Sequence, residues 1–387
     1  MKHLLWLLAA AMVGTCGCHD ETQAAEKAAK IGFKKTKLDD KFRSEGVAAG
    51  DFNHDGKLDV AAGSVYYAAP DWKMHSILEK PEEFDPAVYS HSFCNFAADL
   101  NGDGWDDLIV VDFPGQQTWW FENPQTAGGP WRRHTCVPVT NNESPQYLDV
   151  DGDKVRELLF ADGSPAVALA NPVKDWKAEW KIRPISAKNS PGTNKFSHGI
   201  GAGDVNKDGH DDVLCTDGWW EAPADKAEGE WKFHPAKLGE ACSQMYAYDF
   251  DGDGDNDILS TSAHKTGIWW HEQSPEGWKT HLINDEFSQT HATCLADINQ
   301  DGLMDFVTGK RWWAHGAAGD PGSDKPAVMY WFELTRKDGK PVWIPHQFDH
   351  DSGVGTQFEV PDMNGDGLLD VITANKKGAH YFEQVRE

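Results

Sequence analysis

No segment of the chain carries a sustained helical period. Short apolar runs alternate instead with polar, acidic stretches, and the alternation itself repeats along the chain. Ile200-Gly201-Ala202-Gly203 leads into an acidic nonapeptide, and Val213-Leu214-Cys215 leads out of it. An aromatic run follows, seen as Trp119-Trp120-Phe121, Trp219-Trp220, Trp269-Trp270, Trp312-Trp313, Tyr330-Trp331-Phe332 and Tyr381-Phe382. A fourth run closes the unit with Trp-x-x-His or a relative: Trp72/His75, Trp131/His134, Trp180/Arg183, Trp231/His234, Trp278/His281 and Trp343/His346. Four short strands per unit, repeated seven times, predict an all-β, seven-bladed β-propeller over residues 31–387.

Six outer strands follow the first six nonapeptides, and none follows the seventh. Phe33-Lys34-Lys35-Thr36-Lys37-Leu38 has the matching outline, so an N-terminal strand is expected to complete the last blade and leave no open sheet edge. Residues 314–328, with Gly, Asp and Pro, read as a loop insertion in the sixth blade. The paired aromatics recur in most units, which favours packing between blades over sugar stacking.

The nonapeptide is Asp-x-(Asn/Asp)-x-Asp-Gly-x-x-Asp. It starts at Asp51, Asp99, Asp149, Asp204, Asp249, Asp297 and Asp362, at intervals of 45 to 65 residues. Positions 1, 3, 5 and 9 offer hard oxygen ligands and the glycine permits a sharp turn, which is the ligand spacing of a calcium loop. The predicted ligands are Asp51, Asn53, Asp55 and Asp59 in the first loop, Asp99, Asn101, Asp103 and Asp107 in the second, and Asp204, Asn206, Asp208 and Asp212 in the fourth. The fifth offers Asp249, Asp251, Asp253 and Asp257, the sixth Asp297, Asn299, Asp301 and Asp305, and the seventh Asp362, Asn364, Asp366 and Asp370. In the third, Lys154 replaces the glycine and Glu157 the final Asp, and an Asx-turn that only caps a hairpin suits it best. The seven loops hold 26 carboxylates, whose repulsion calls for cations, so structural Ca²⁺ is expected in up to six or seven sites.

These loops resemble those of the FG-GAP/VCBS propellers, the repeat family of the integrin α-chain head and many secreted bacterial proteins. The likeness covers nearly all of residues 45–387. It implies calcium held between the first two strands of a blade. A narrower likeness lies in Ser197-His198-Gly199-Ile200-Gly201-Ala202-Gly203-Asp204-Val205-Asn206 followed by Gly218-Trp219-Trp220-Glu221. That run is similar to the propeller part of aldos-2-ulose and 1,5-anhydrofructose dehydratases, which implies elimination of water from a keto-sugar. The cupin-type domains such enzymes can carry have no counterpart in this sequence.

A reactive site is expected at the channel mouth opposite the acidic loops. Side chains alternate along a strand, so residues at even offsets before the first Asp share one side. Offset −6 collects Glu45, Phe93, Glu143, His198, Ser243, His291 and Thr356, with His91 at −8. Offset +13 collects Ser64, Asp112, Asp162, Asp217, Ser262, Lys310 and Asn375, with His264 and Arg311 nearby. The loops are near copies, whereas this rim differs blade by blade, as a ligand site would. His198 is the expected general base, His291 or His91 the acid, and Lys310 and Arg311 the oxyanion stabilisers. Glu45, Glu143, Asp112, Asp162, Asp217 and His264 are expected substrate contacts. The reading is a carbohydrate-active carbon–oxygen lyase, with a non-catalytic saccharide- or protein-binding propeller as the alternative. No phosphate loop, zinc HExxH, nucleophile elbow or dinucleotide fingerprint is present.

The 36 basic and 62 acidic side chains leave a formal charge of −26, which argues against nucleic acid as a partner. Lys2 and His3 precede the ten-residue apolar stretch Leu4 to Val13, the outline of an export signal over residues 1–18. Gly17-Cys18 resembles a lipoprotein processing site, which implies a lipid anchor at Cys18, a tether over 19–30, and a periplasmic, cell-surface or secreted location. The five later cysteines are irregularly spaced and read as small buried hydrophobes.

Overall fold

The computed structural model describes residues 30–126, 129–226 and 231–387. The signal, Cys18 and all of the tether but Lys30 lie outside the described residues. Every helix or strand of the described residues is a strand, and no helix among them is long and apolar enough to cross a membrane. The strands form five four-stranded sheets and one eight-stranded sheet in a β-propeller arrangement. Within each four-strand unit, chain neighbours pair antiparallel, as in Ala48–Gly50, Asp59–Ala62, Val65–Ala68 and Lys73–Ser76.

The count of six sheets differs from the seven expected for a local reason. Ile200–Gly203 and Gln244–Tyr248 open two successive four-strand units, and a parallel bridge of Ile200 to Gln244 and Gly201 to Met245 joins them into one sheet. A Cβ at Gly201 would lie 2.0 Å from the Met245 carbonyl oxygen, so only glycine lets the two backbones meet. At the chain ends, Ile31–Asp39 pairs with Gly378–Arg386 and is the outermost strand of the last sheet. The last sheet also meets the first, where Thr356 donates its backbone N–H to the Glu45 carbonyl at 2.7 Å and Ala49 donates to Glu359 at 2.9 Å.

The core lies between sheets. Trp131, from the outer end of the second unit, packs against Phe52 and Tyr66 of the first at 5.9 and 6.0 Å. Trp120 and Trp220 are 0% and 2% exposed, so these rings are packing elements. The Trp-x-x-His histidines stack on the aromatic directly across the strand pair. Trp120–His134, Trp219–His234, Trp270–His281 and Trp331–His346 have centroids 4.6, 4.2, 4.3 and 4.2 Å apart. Each of these histidines also meets a glutamate of its partner strand, at 2.6 to 3.1 Å. The five described cysteines are unpaired.

Position 9 of each acidic loop is a buried structural pin. Asp305 is 0% exposed and accepts the backbone N–H of Ile298 at 3.0 Å and of Leu334 at 2.8 Å, tying the loop to the third strand. Asp59, Asp107, Asp212, Asp257 and Asp370 repeat this pair of bonds. Asp305→Ala therefore strands two buried donors, and urea unfolding should show a loss of about 2–6 kcal/mol. Asp297→Ala, at the partly exposed position 1, should cost far less when both variants are measured without calcium.

Candidate functional site

The strand ends opposite the acidic loops enclose a cavity of about 380 Å³. Tyr89, Phe93, Phe113 and Phe196 form its apolar walls, and Glu143, His198, His264 and His315 its polar lining. Phe196 is 43% exposed, and its ring meets Phe113 edge-on at 5.5 Å. Tyr89 is held by a 2.8 Å bond from its hydroxyl to the Ala314 carbonyl, which brings the loop after the first sheet against the insertion in the sixth unit.

The floor is a cluster drawn from four successive units. Glu143 and His198 stand before the first strands of the third and fourth units, and His291 before that of the sixth. His264 lies in the turn between Asp257–Thr261 and Thr266–Glu272. His198 Nε2 lies 2.9 Å from His264 Nε2 and 3.4 Å from Glu143 Oε2, and His291 Nε2 lies 3.3 Å from the same oxygen. Neither ring nitrogen of the fully buried His291 has a hydrogen bond. Burial, then the neighbouring His291 and His198 imidazoles, pushes His264 down to about 3, and burial also lowers His291. Burial alone would raise the Glu143 carboxyl, but its contacts with His198 and His291 outweigh that and hold it well below the usual range. The floor thus sets the neutral imidazoles of His264 and His291 beside an ionised carboxylate.

One wall carries a second pair. His315 is half exposed, and its Nδ1 lies 3.1 Å from both oxygens of the buried Asp320. Its ring stacks on His264 at 4.7 Å, and Asp320 also lies 3.7 Å from His264 Nδ1. Both residues sit in the segment read from sequence as a plain insertion. The only sequence signal was a histidine five residues before an aspartate, which has no distinctive spacing.

Other expected site residues lie elsewhere. His91 pairs with Asp112 at 3.1 Å beside a separate cavity of about 250 Å³ between the first two units, which Ser64 and Arg133 also line. Arg311 is buried and paired with Glu45, behind Tyr89 and Phe93, whose ring centroids are each 5.9 Å away. Lys310 is fully buried, with its ammonium 3.4 Å from the Arg311 carbonyl, and burial lowers it to about 8. Neither cation lines the main cavity, because these strand-end side chains turn into the ring wall. Asp162 caps its own turn through Ser164 and Ala166, and Asp217 is exposed.

The acidic loops present positions 1, 3 and 5 wholly or partly at the surface, apart from the buried Asp251. Asp51 accepts the backbone N–H groups of Asp55 and Gly56, and position 3 bonds position 5 in Asn101–Asp103, Asn206–Asp208, Asn299–Asp301 and Asn364–Asp366. Oxygens of Asp249, Asp251 and Asp253 lie within 4.8 Å of one another, as do those of Asp149, Asp151, Asp153 and Glu157. Oxygen donors converging from a tight turn fit a hard divalent cation, with position 9 chiefly engaged by its two backbone bonds. Position 6 has φ of +85° at Gly56, and Lys154 adopts +73° in the third loop, a conformation unfavourable for a side chain. That loop is also crossed by Arg183, which donates to Asp151 at 3.1 Å.

An FG-GAP-like repeat family matches residues 99–160 and 249–308, so the chain carries FG-GAP-like repeats that run from its second unit into the third and from its fifth into the sixth. A search of curated proteins returned no match. Among solved structures, BBS1N in complex with ARL6DN is similar at 11% identity, with a TM-score of 0.50 over 92% of this chain and 96% of that one. An Agrocybe aegerita lectin that recognises non-reducing terminal N-acetylglucosamine is similar at 14% identity, TM-score 0.44, over 92% of this chain and 86% of that one. The extracellular domain of a one-component system from B. thetaiotaomicron is similar at 10% identity, TM-score 0.49, over 91% of this chain and 39% of that one. At these identities the likeness to BBS1N concerns the fold alone.

Proposed function

We propose that this chain is an exported, calcium-stabilised, seven-bladed propeller that binds a carbohydrate in the aromatic-walled cavity and eliminates water from it. The seventh blade comes from counting the eight-stranded sheet as two blades joined at Gly201, with Ile31–Asp39 completing the last. The observation that carries the reading is the His315–Asp320 pair stacked against the histidine floor inside a cavity of monosaccharide size. Aromatic walls suit the apolar face of a sugar ring, and the polar floor suits its oxygens.

With Nδ1 held by Asp320, the His315 Nε2 is the free proton acceptor. In a bound keto-sugar it takes the proton from the carbon beside the carbonyl, and the floor stabilises the enolate oxygen. The C–H electron pair becomes a C=C bond as the adjacent C–O bond breaks. The departing hydroxyl recovers the proton from His315 and leaves as water. His198, already engaged with His264 and Glu143, belongs to the floor in this scheme rather than acting as the base. The narrower resemblance to sugar dehydratases agrees with the reaction class.

The test incubates the full chain with keto-sugars and uronate polymers and follows ultraviolet absorbance of an unsaturated product. His315→Ala should lower turnover about 10²–10⁴-fold with an unchanged melting temperature. Sugar binding without product would overturn the lyase and leave a saccharide-binding propeller, and neither would overturn both. For calcium, excess chelator should lower the melting temperature and added Ca²⁺ should restore it. A site filled at a hundred times its Kd contributes about 2.7 kcal/mol. An unchanged melting curve together with no calcium by elemental analysis would end that part of the proposal.

A further inference from the structure

We infer that the cavity between the first two units is a second sugar subsite, which takes a carboxylate-bearing unit of the same saccharide that fills the main cavity. The preferred substrate is then an acidic oligosaccharide, a chain that contains uronate. The inference deepens the proposed function and rests on it for what the main cavity binds.

The two cavities share a wall. In the segment 89–93, Tyr89 and Phe93 line the main cavity, while His91 and Ser92 line the side one. In the segment 112–116, Phe113 lines the main cavity, while Asp112 and Gln116 line the side one. Lys195 crosses this wall. A Cβ at Gly115, where φ is +84°, would lie 2.8 Å from the Lys195 Cε. The Lys195 ammonium stands 4.9 Å from the Phe196 centroid and 5.7 Å from that of Phe113. A cation therefore sits where a saccharide would pass from one cavity to the other.

The side cavity has the parts of a sugar site. Val110 and Phe121, 3% and 5% exposed, give it an apolar floor. Trp119 stays partly exposed although Trp120 beside it is buried, and a 2.7 Å bond from its indole N–H to Gln117 fixes the ring. Such a ring suits the apolar face of a sugar. Asp112 is 5% exposed and spends Oδ1 on His91 Nδ1 and on the Phe113 N–H. Among the described residues its Oδ2 has no hydrogen bond, so it is left to accept a hydroxyl. His91, held through Nδ1, keeps Nε2 for a second one.

Arg133 names the class. Its guanidinium lies 4.4 Å from the Trp119 centroid, and neither it nor Lys195 is ion-paired among the described residues. A guanidinium stacked on a ring keeps its fork of donors open for a carboxylate. Two unpaired cations along one path match a chain of repeating carboxylates better than one of neutral hydroxyls.

The test titrates the full chain, with Ca²⁺ present, against hexamers of galacturonic, mannuronic and guluronic acid, their methyl esters and the monomers, by calorimetry. One acid hexamer should bind at least ~10-fold more tightly than its ester and its monomer, as a charge-assisted contact would give. Arg133→Ala, at an exposed side chain, should keep the melting temperature and remove the preference for acid over ester. Trp119→Ala in the side cavity and Phe196→Ala in the main one should each weaken the hexamer about 3–10-fold, the worth of one stacked ring. Lys195→Ala should weaken it most at low salt. Absence of acid-hexamer binding, equal binding of acid and ester, or an acid preference that survives Arg133→Ala overturns the subsite. Hexamer binding untouched by Phe196→Ala overturns the shared ligand. An acid hexamer held through Arg133 without unsaturated product would remove the lyase and leave this subsite. Product from neutral keto-sugars with no gain for acid hexamers would leave the lyase and remove the subsite.

Discussion

Deleting residues 1–40 should unfold the protein, or nearly so, while deleting residues 1–26 leaves it folded. The difference lies in Ile31–Asp39, the outer strand of a sheet whose other three strands come from the far end of the chain. Without it, Gly378–Arg386 becomes an open edge. Ile31, Phe33 and Leu38 leave the core cluster against which they pack, and Phe33 loses Phe348 at 4.5 Å. The Lys35–Asp349 and Asp39–Arg43 pairs go with them. Three half-buried apolar side chains and a strand of hydrogen bonds together come to a loss on the order of 5 kcal/mol, a large part of ordinary domain stability. Urea unfolding of the two truncations checks this, and coincident curves would mean that the strand is dispensable.

Breaking the Glu45–Arg311 pair should be the most damaging single substitution at the ring centre. Both side chains are at most 2% exposed, and they join the first unit to the sixth. Glu45 further ties the last unit, whose Thr356 donates to its carbonyl, to the second, whose Ser92 carbonyl accepts its N–H. Glu45→Ala leaves a guanidinium that cannot lose its proton in a dry site, at a cost of about 3–5 kcal/mol. The double change Glu45→Leu with Arg311→Met removes both charges and should recover much of that. A double-mutant cycle by denaturant unfolding measures the coupling, and additive single effects would refute it.

The strands and loops were legible because their period repeats, and the burial of the paired tryptophans followed from that repetition. The floor was legible as well, three of its four residues by a shared offset and His264 as a neighbour of the +13 position. Glu143, His198 and His291 share one offset before their loops, and strand alternation puts equal offsets on one side. The same reasoning failed for Lys310 and Arg311, because parity gives a direction and not a depth. It also placed His91 with His198, although Asp112 of its own unit holds it. His315, Asp320, Tyr89 and Phe196 come from connecting segments whose path depends on what they pack against, and no local spacing marks them. The parallel bridge at Gly201 was equally hidden, since a glycine in a strand does not say which backbone approaches it.

Lys30 exchanges backbone bonds with Glu387, and nearby Arg386 reaches the Asn299 carbonyl in the sixth acidic loop. The chain therefore enters the ring at the acidic end, and the histidine-floored cavity opens at the other. Anything that holds this protein through its N-terminal segment grips it by the acidic end and leaves the cavity facing outward. A surface bearing many copies would then display a layer of cavities toward the medium, with the acidic loops set in the narrow space beneath.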